Sequence, residues 1–399
     1  MPDITTDVAI IGAGPAGLTA AIALAASGVT VTLVGKPTGD NRTTALLASS
    51  VTALETLNIW PHCRDHAAPL KVMRIVDGTQ RLWRAPETEF VSGEIGLEAF
   101  GWNIANRDLV TALTAQVAAT PNLIHIADDA RNVVAHDDRV TIELANGEKI
   151  SARLVVGADG RRSLCRTAAG IETEGFDYPQ VALTFNLSHT RPHRDTSTEF
   201  HTTQGPFTLV PLPGQRSSLV WVVSPEEAER IDTLDNMQLA LEIEQRSHSI
   251  LGKITLEEGR GRFPLAVVTA RRFAAGRIVL AGEAAHTLPP IGAQGFNLGL
   301  RDVATIAELV AQAKRAGEDI AGADVIDAYD QRRRADTSTR KFAIDLLNRS
   351  LLTDFLPVQS ARGLGLYLLD RIGPLRRAVM REGVAPTASS PRLMRGEAL

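Results

Sequence analysis

Apolar and polar positions change their spacing several times along the chain, and each change marks an element. Val8 to Ile11 is a short, largely β-branched apolar run, the composition of a strand buried in a parallel sheet. Gly12-Ala13-Gly14-Pro15-Ala16-Gly17 interrupts it at once, and the Ala- and Leu-rich stretch Leu18 to Ser27 predicts a helix that stops at Gly28. Val29 to Val34 alternates and predicts a second strand, so the chain begins with a βαβ unit. Leu109 to Ala119 reads as a helix. Asn122 to Ile126, Val140 to Leu144 and Lys149 to Leu154 read as strands, with Asn146-Gly147 turning a hairpin between the last two. Val155 to Gly160 ends another buried strand.

From about Val181 to Val268 the pattern becomes β-rich with Pro/Gly punctuation such as Pro211-Leu212-Pro213-Gly214, and one helix is predicted over roughly Pro225 to Gln245. Arg277 to Gly282 returns to a buried parallel strand. A loop, a long helix from about Gly295 and further helices to about Arg381 follow. The fold class is therefore α/β. A Rossmann-type domain is expected from the discontinuous segments 1–75, 100–175 and 269–345. A β-rich domain is expected from 76–99 and 176–268, and a C-terminal helical segment from 346–399.

Composition adds limits. At 399 residues, 44% hydrophobic and 22% charged, the chain can bury a large core as two or three structural units. The net charge of -4, with Lys and Arg scattered, argues against a nucleic-acid surface. Cys63 and Cys165 form no CxxC pair, and His66 near Cys63 lacks a second ligand pair, so neither a metal site nor a disulfide is expected. Met1 to Asp7 has no basic region of a signal peptide, and the glycines within Val8 to Leu33 break what could resemble a membrane span. A cytoplasmic location is expected.

Gly12-x-Gly14-x-x-Gly17 supplies the first candidate chemistry. Gly12 permits the tight turn, Gly14 lets a pyrophosphate reach the backbone, and Gly17 allows close helix–strand packing. Pro15 and Ala16 begin the helix whose free N–H groups and dipole face the phosphates. One expected feature is missing: the second strand runs into Val34-Gly35-Lys36 where an acidic residue should bind the adenosine ribose, and Asp40 lies beyond a proline and a glycine. A lost charge-assisted hydrogen bond of this kind is worth about 1.5–3 kcal/mol. This unit alone leaves NAD and FAD both open.

Two later segments bear on that choice. Gly157-Ala158-Asp159-Gly160-Arg161-Arg162-Ser163 and Arg277 to His286 fall at the ends of parallel strands, where open α/β sheets bind ligands. Together with Gly12 to Gly17 they resemble the three fingerprints of the class A FAD-dependent aromatic hydroxylases, of para-hydroxybenzoate-hydroxylase-like fold. The resemblance runs almost the full chain. It is nearest to the ubiquinone-biosynthesis hydroxylase branch, through Thr287 to Asp302, Arg42 to Leu47, Asn106 to Leu109 and Tyr178-Pro179-Gln180.

The resemblance implies FAD as cofactor, with Gly12, Gly14 and Gly17 at the pyrophosphate, and Arg42 and Arg107 near the flavin and its phosphates. Asp159 stands where the family serves both FAD and the reduced nicotinamide. Gly282 and Glu283 stand at the ribityl chain, with Glu283 replacing the family's aspartate. Pro290, Gly292, Gln294 and Gly295 form the flavin-ring loop, followed by Phe296 and Asn297 as the helix begins. That helix end can stabilise negative charge on a reduced flavin. The implied reaction is ring hydroxylation through a flavin C4a-hydroperoxide, using O2 and electrons from NAD(P)H or another donor. The implied substrate is a small aromatic, lipid-soluble and prenylated compound.

Two alternatives remain open on sequence: the same chemistry on another aromatic substrate, and a flavin-poor structural subunit of a quinone-biosynthesis complex. No protein general base is evident. His286 reads as a packing and hydrogen-bonding residue, and Tyr178 as either structural or lining the substrate side. Ile344 to Met380, with Arg349, Arg362, Arg371, Arg376 and Arg377, reads as a helical cap with a solvated basic face or as a surface resting peripherally on the inner membrane. A homo-oligomer is equally open.

Overall fold

A buried apolar run must pair on both edges, and Ile4–Ile11 does so: it lies between Lys149–Gly157 and Val31–Val34, parallel to both. The computed structural model describes residues 4–79, 87–290, 293–352, 371–384 and 390–399, with the backbone alone over 343–352 and at 384. The first sheet runs Ala274–Ala275, Ile278–Leu280, Lys149–Gly157, Ile4–Ile11, Val31–Val34, Leu123–Ile126. Its inner pairs are parallel, so the strand ends and the following turns gather at one edge. Ala130–Ala135 and Val140–Leu144 extend it as an antiparallel arm. There the Asn146-Gly147 turn has Gly147 at φ +91, and the Asn146 side chain accepts the Glu148 N–H at 2.9 Å.

The helix Pro15–Ala26 is buried along nearly its whole length, from Gly17 to Ala25, between this sheet and the long helix Gln294–Ala316. An all-round apolar helix fits that place, and each of Leu18, Ile22 and Leu24 contributes about 1.5–3 kcal/mol by leaving water. Gly28, at φ +85, ends the turn after it, and its carbonyl receives the Lys314 ammonium.

The second sheet runs His286–Thr287, Gly261–Ala270, Thr173–His189, Arg216–Val223, Pro206–Leu212, Thr196–His201, Val72–Asp77, Thr88–Val91. Only Thr196–His201 with Val72–Asp77 is a parallel pair. One face carries Phe185, Leu219 and Trp221 against Ile231, Leu239 and Ile243 from two helices. The other faces the first sheet. Between the two lies a three-stranded sheet of Thr43–Leu47, Gly101–Ala105 and Ala67–Pro69, which no local pattern announced because its pairing is entirely long-range.

The single helix expected over Pro225 to Gln245 is two, Pro225–Asp232 and Asn236–Arg246. Asp235 breaks the run: it is extended, accepts the Gln238 N–H at 2.8 Å, and its own N–H is taken by the Gln238 side chain at 3.1 Å. This reciprocal cap starts a new helix where sequence periodicity would have continued the old one. After Gln294–Ala316, which ends at Gly317 (φ +71), come the helices Ala323–Leu352 and Gly373–Val384. The short 3-10 turn Arg392–Arg395 then returns Leu393 and Met394 to the main core.

Candidate active site

The strand ends of the first sheet and the open face of the second enclose a cavity of about 840 Å³. Its first wall is the glycine turn. Gly12 holds φ +105, donates its N–H to Val34 at 2.8 Å, and has no room for a side chain because a Cβ would meet the Ala158 carbonyl. A Cβ on Gly17 would strike the Gly12 carbonyl, so Gly17 is a packing glycine behind the wall. Gly14 differs: a Cβ there meets nothing within 4 Å, and Gly14, Pro15 and Ala16 line the cavity. The helix Pro15–Ala26 has no side-chain cap at its N-terminus, which leaves its first N–H groups free for an anion.

A second helix N-terminus opens onto the same cavity. Gln294–Ala316 is likewise uncapped by any side chain, entered through Ala293 at φ 56. Pro290, Gln294, Gly295 and Phe296 line the cavity, and a Cβ on Gly295 would meet nothing within 4 Å. Gly292 lies outside the described residues. Asn297 is buried behind the wall, where its amide donates to Ala45 at 2.8 Å and its oxygen accepts the Leu47 N–H at 3.0 Å, tying the helix to the small sheet.

The other expected residues fall as follows. Asp159, Gly282 and Glu283 line the cavity. Asp159 accepts the Ser163 hydroxyl at 2.5 Å and the Cys165 N–H at 3.0 Å, so it also fixes the start of the helix Leu164–Ala168. Arg42 lines it too, with Nε 2.6 Å from Asp40 and its guanidinium 4.9 Å from the Phe263 ring centroid. Burial alone would raise the Asp40 carboxyl, but Arg42 and Asn106 turn it below its ordinary value. Arg107, at the start of the helix Asn106–Ala119, points to solvent with Asp108 at 3.7 Å and does not line the cavity. Tyr178 is buried edge-on to Phe176, outside the lining.

Several contacts at the site carried no sequence signal because distant segments bring the residues together. Arg161 reaches Glu283 at 3.5 Å across the cavity wall. Asn103 donates to Pro211 at 2.9 Å and to the Ser218 hydroxyl at 3.2 Å, and Thr43 donates to that same hydroxyl at 2.9 Å. Glu199 lines the second-sheet wall and meets His201 at 2.9 Å. Gly35, at φ +141, packs so closely on the glycine turn that a Cβ would sit 2.7 Å from the Ala13 nitrogen, so the strand end is backbone-filled where a carboxylate was expected.

Behind the wall lies a buried charge network. Asp302 accepts the Gly282 N–H at 2.9 Å, His286 Nε2 at 2.7 Å and Arg333 Nε at 2.6 Å. Arg333 and Arg301 converge on Asp336, which also takes Arg340 at 3.2 Å, and Arg340 reaches the Gln294 side chain at 3.2 Å. The network joins the Gly282 turn to the start of the helix Gln294–Ala316. Burial would push both carboxyls up; His286 and Arg333 hold Asp302 below the ordinary range, and Arg333 and Arg301 do the same for Asp336.

These features suit a dinucleotide bearing a ring system: an open glycine cradle beside one uncapped helix end, a second uncapped end some distance along, and a cavity continuing to a wall of hydroxyl and apolar side chains. A family model described as "FAD binding domain" matches residues 5–339. A ubiquinone hydroxylase, UbiL, of Rhodospirillum rubrum is 34% identical over 99% of this chain and 94% of its own length. The 3-demethoxyubiquinol 3-hydroxylase of Escherichia coli is 30% identical over 96% and 99%. Among solved structures, p-nitrophenol 4-monooxygenase PnpA of Pseudomonas putida superposes with a TM-score of 0.75 at 20% identity, covering 95% of this chain and 96% of that one.

Proposed function

The chain belongs to the FAD binding domain family of class A flavoprotein hydroxylases, and from that membership we propose that it hydroxylates the aromatic ring of a prenylated intermediate of ubiquinone biosynthesis. The observation that carries this reading is the single cavity joining the glycine cradle and the flavin-ring loop to the second-sheet wall. The relatives named as ubiquinone hydroxylases supply the substrate class.

Bound FAD supplies reductive activation of dioxygen and transfer of one oxygen atom to an electron-rich ring. Two electrons come from NAD(P)H or another donor. The residues of this chain do the positioning. Backbone N–H groups after Gly14 would hold the pyrophosphate, Glu283 would meet the ribityl chain, and Arg42 and Asp159 would contact the flavin half of the cofactor. The uncapped N-terminus of Gln294–Ala316, which lines the cavity, would stabilise negative charge on a reduced flavin ring. Leu265, Val210 and Val220 from the second sheet exclude water from the ring's face of the cavity.

The lipid-soluble substrate reaches this cavity from a membrane surface. Supporting this, Ile372, Leu375 and Val379 are exposed beside Arg371, Arg377 and Arg381. The helix Gly373–Val384 is docked by Arg376 onto Glu94 at 2.7 Å, and its Met380 packs on Phe100, itself part of the cavity wall. Arg362 lies outside the described residues. Among the described residues no helix is long and apolar enough to cross a membrane, so contact would be peripheral.

Mass spectrometry of quinone-pathway lipids from a strain lacking the gene tests the reading. Accumulation of a prenylated intermediate short of one hydroxyl is expected, and its structure names the ring position. A normal quinone profile in a strain with no second hydroxylase would move the substrate elsewhere.

A further inference from the structure

Among the described residues, the second-sheet wall of the cavity carries one carboxylate. Six acidic residues line the cavity, and five of them belong to other segments: Asp40, Asp128, Asp129, Asp159 and Glu283. Those five already face cations or backbone N–H groups: Arg42 for Asp40, the Asp129 and Asn146 amides for Asp128, Lys36 for Asp129, the Cys165 amide for Asp159, and Arg161 for Glu283. The sixth, Glu199, stands on the second sheet. Along Thr196–His201, Phe200 points into the helix-covered core while Ser197 and Glu199 line the cavity.

Glu199 is held without being neutralised by a fixed cation. One oxygen lies 2.9 Å from His201 Nε2 and the other accepts the Thr208 hydroxyl at 3.3 Å. A carboxylate only accepts, so Nε2 carries the hydrogen and donates. Two hydrogen bonds leave capacity for about two more on the carboxylate. His201 is nearly closed to solvent at 5%, whereas Glu199 keeps 25% of its side chain accessible. From the flanking strands, Thr208 and Ile75 stand opposite Glu199, and Asp77 stands opposite His201. Asp77 accepts both the N–H and the hydroxyl of Thr79. On the neighbouring strand Met73 lines the cavity, and Arg74 beside it is paired with Glu87 and Glu89.

We propose that Glu199, oriented by His201 and Thr208, accepts the proton of the ring hydroxyl of the substrate during hydroxylation. The inference rests on the proposed function and takes the electron-rich ring of that intermediate to carry a hydroxyl group, as a phenol does. As the ring carbon takes one oxygen atom as hydroxyl, the O–O bond of the two-electron-reduced dioxygen breaks and the second oxygen leaves at the oxidation level of water. Positive charge spreads to the phenolic oxygen and its O–H becomes strongly acidic. The O–H bond breaks, its electron pair becomes the π bond of a ring carbonyl, and the proton passes to a Glu199 oxygen. The ring hydrogen then leaves as a proton that completes water at the second oxygen, and Glu199 returns its proton to the carbonyl oxygen, which restores the aromatic ring and the carboxylate. No oxidant or reductant beyond those of the hydroxylation is consumed. General-base assistance of this kind is worth about 10²–10⁴-fold in rate.

The test uses FAD-loaded protein and 4-nitrophenol, whose phenolate band reports its ionisation while bound. Glu199→Gln, Glu199→Asp and His201→Asn are compared with wild type, each first checked for stoichiometric FAD. A carboxylate beside the phenol opposes ionisation. Bound nitrophenol should therefore stay protonated to a pH about one unit higher in wild type and Glu199→Asp than in Glu199→Gln. Turnover of a 2-prenylphenol should fall at least about 100-fold in Glu199→Gln and recover in part in Glu199→Asp. Identical nitrophenol titrations in wild type and Glu199→Gln, or no nitrophenol binding in either, would overturn the assignment. A wild type that shows the titration shift yet leaves prenylphenol unhydroxylated would refute the substrate reading and sustain the role of Glu199 toward phenols.

Discussion

Arg333 and Asp302 meet at 2.6 Å with 2% and 0% of their side chains exposed, and the same carboxylate holds the N–H of Gly282, which lines the cavity. A buried pair of this kind contributes little over an apolar substitute, but removing one partner strands the other. Asp302→Ala should therefore cost about 3–5 kcal/mol in chemical denaturation and reduce retained FAD. A variant as stable as wild type would show that the Gly282 turn stands without this support.

Acid should act through the same network. Asp302 and Asp336 are both held below the ordinary carboxyl value, which is about 3.9 in an unfolded chain. A lowered native pKa means the unfolded state takes up protons first. The stabilisation is complete well above pH 4 and is lost as pH falls from there through the native values. The urea midpoint of wild type should drop steeply below about pH 4, and less steeply in Asp336→Asn. Parallel acid limbs for the two proteins would count against this.

The three glycines of the turn should separate by variant. Gly14→Val places its side chain in the cavity and should leave a folded chain without flavin. Gly17→Ala and Gly12→Ala drive a Cβ into backbone carbonyls and should lower the yield of folded protein itself. Circular dichroism with FAD absorbance per mole of protein distinguishes them. Full flavin occupancy in Gly14→Val would move the phosphate site away from this turn.

Glu283 is half exposed and paired with Arg161, so its loss should be mild. Glu283→Ala should raise the Kd for FAD roughly 2–12-fold, corresponding to about 0.5–1.5 kcal/mol. Fluorescence titration of the apoprotein reads this directly, and an unchanged Kd would place the ribityl contact elsewhere.

Substituting Leu375→Glu and Val379→Glu together should abolish cosedimentation with vesicles containing phosphatidylglycerol. Wild-type binding should weaken as salt rises, because the basic residues contribute through screened charge. Equal sedimentation of both proteins would leave the helix Gly373–Val384 as a simple cap.

What could be read from sequence follows the range of the interactions. The βαβ unit, Asn146-Gly147 and the helix from Gln294 are set by local spacing and turn chemistry, and all were legible. The break at Asp235 was misread because apolar spacing hid a cap. The small sheet, Arg161 facing Glu283, and Glu199 on His201 were not legible as a site. The first two join segments far apart in the chain, and the third looks in sequence like an ordinary polar strand. The long helix Ala323–Leu352 read only as a helix; its Arg333 and Asp336 acquire meaning from Asp302, about thirty positions earlier.

The interleaving of the two large sheets also constrains how the chain is made. Ile4–Ile11 and its glycine turn leave the ribosome first, yet the strand that covers one of their edges, Lys149–Gly157, comes about 140 residues later, and Ile278–Leu280, which covers that strand in turn, about 120 residues after it. At about 5–20 residues per second, each of these is roughly 6–28 s in which an apolar strand edge waits for its neighbour. The nascent chain thus presents a sustained binding site for a holdase chaperone, and codon changes that slow synthesis between residues 160 and 280 should lower its yield before they touch its chemistry.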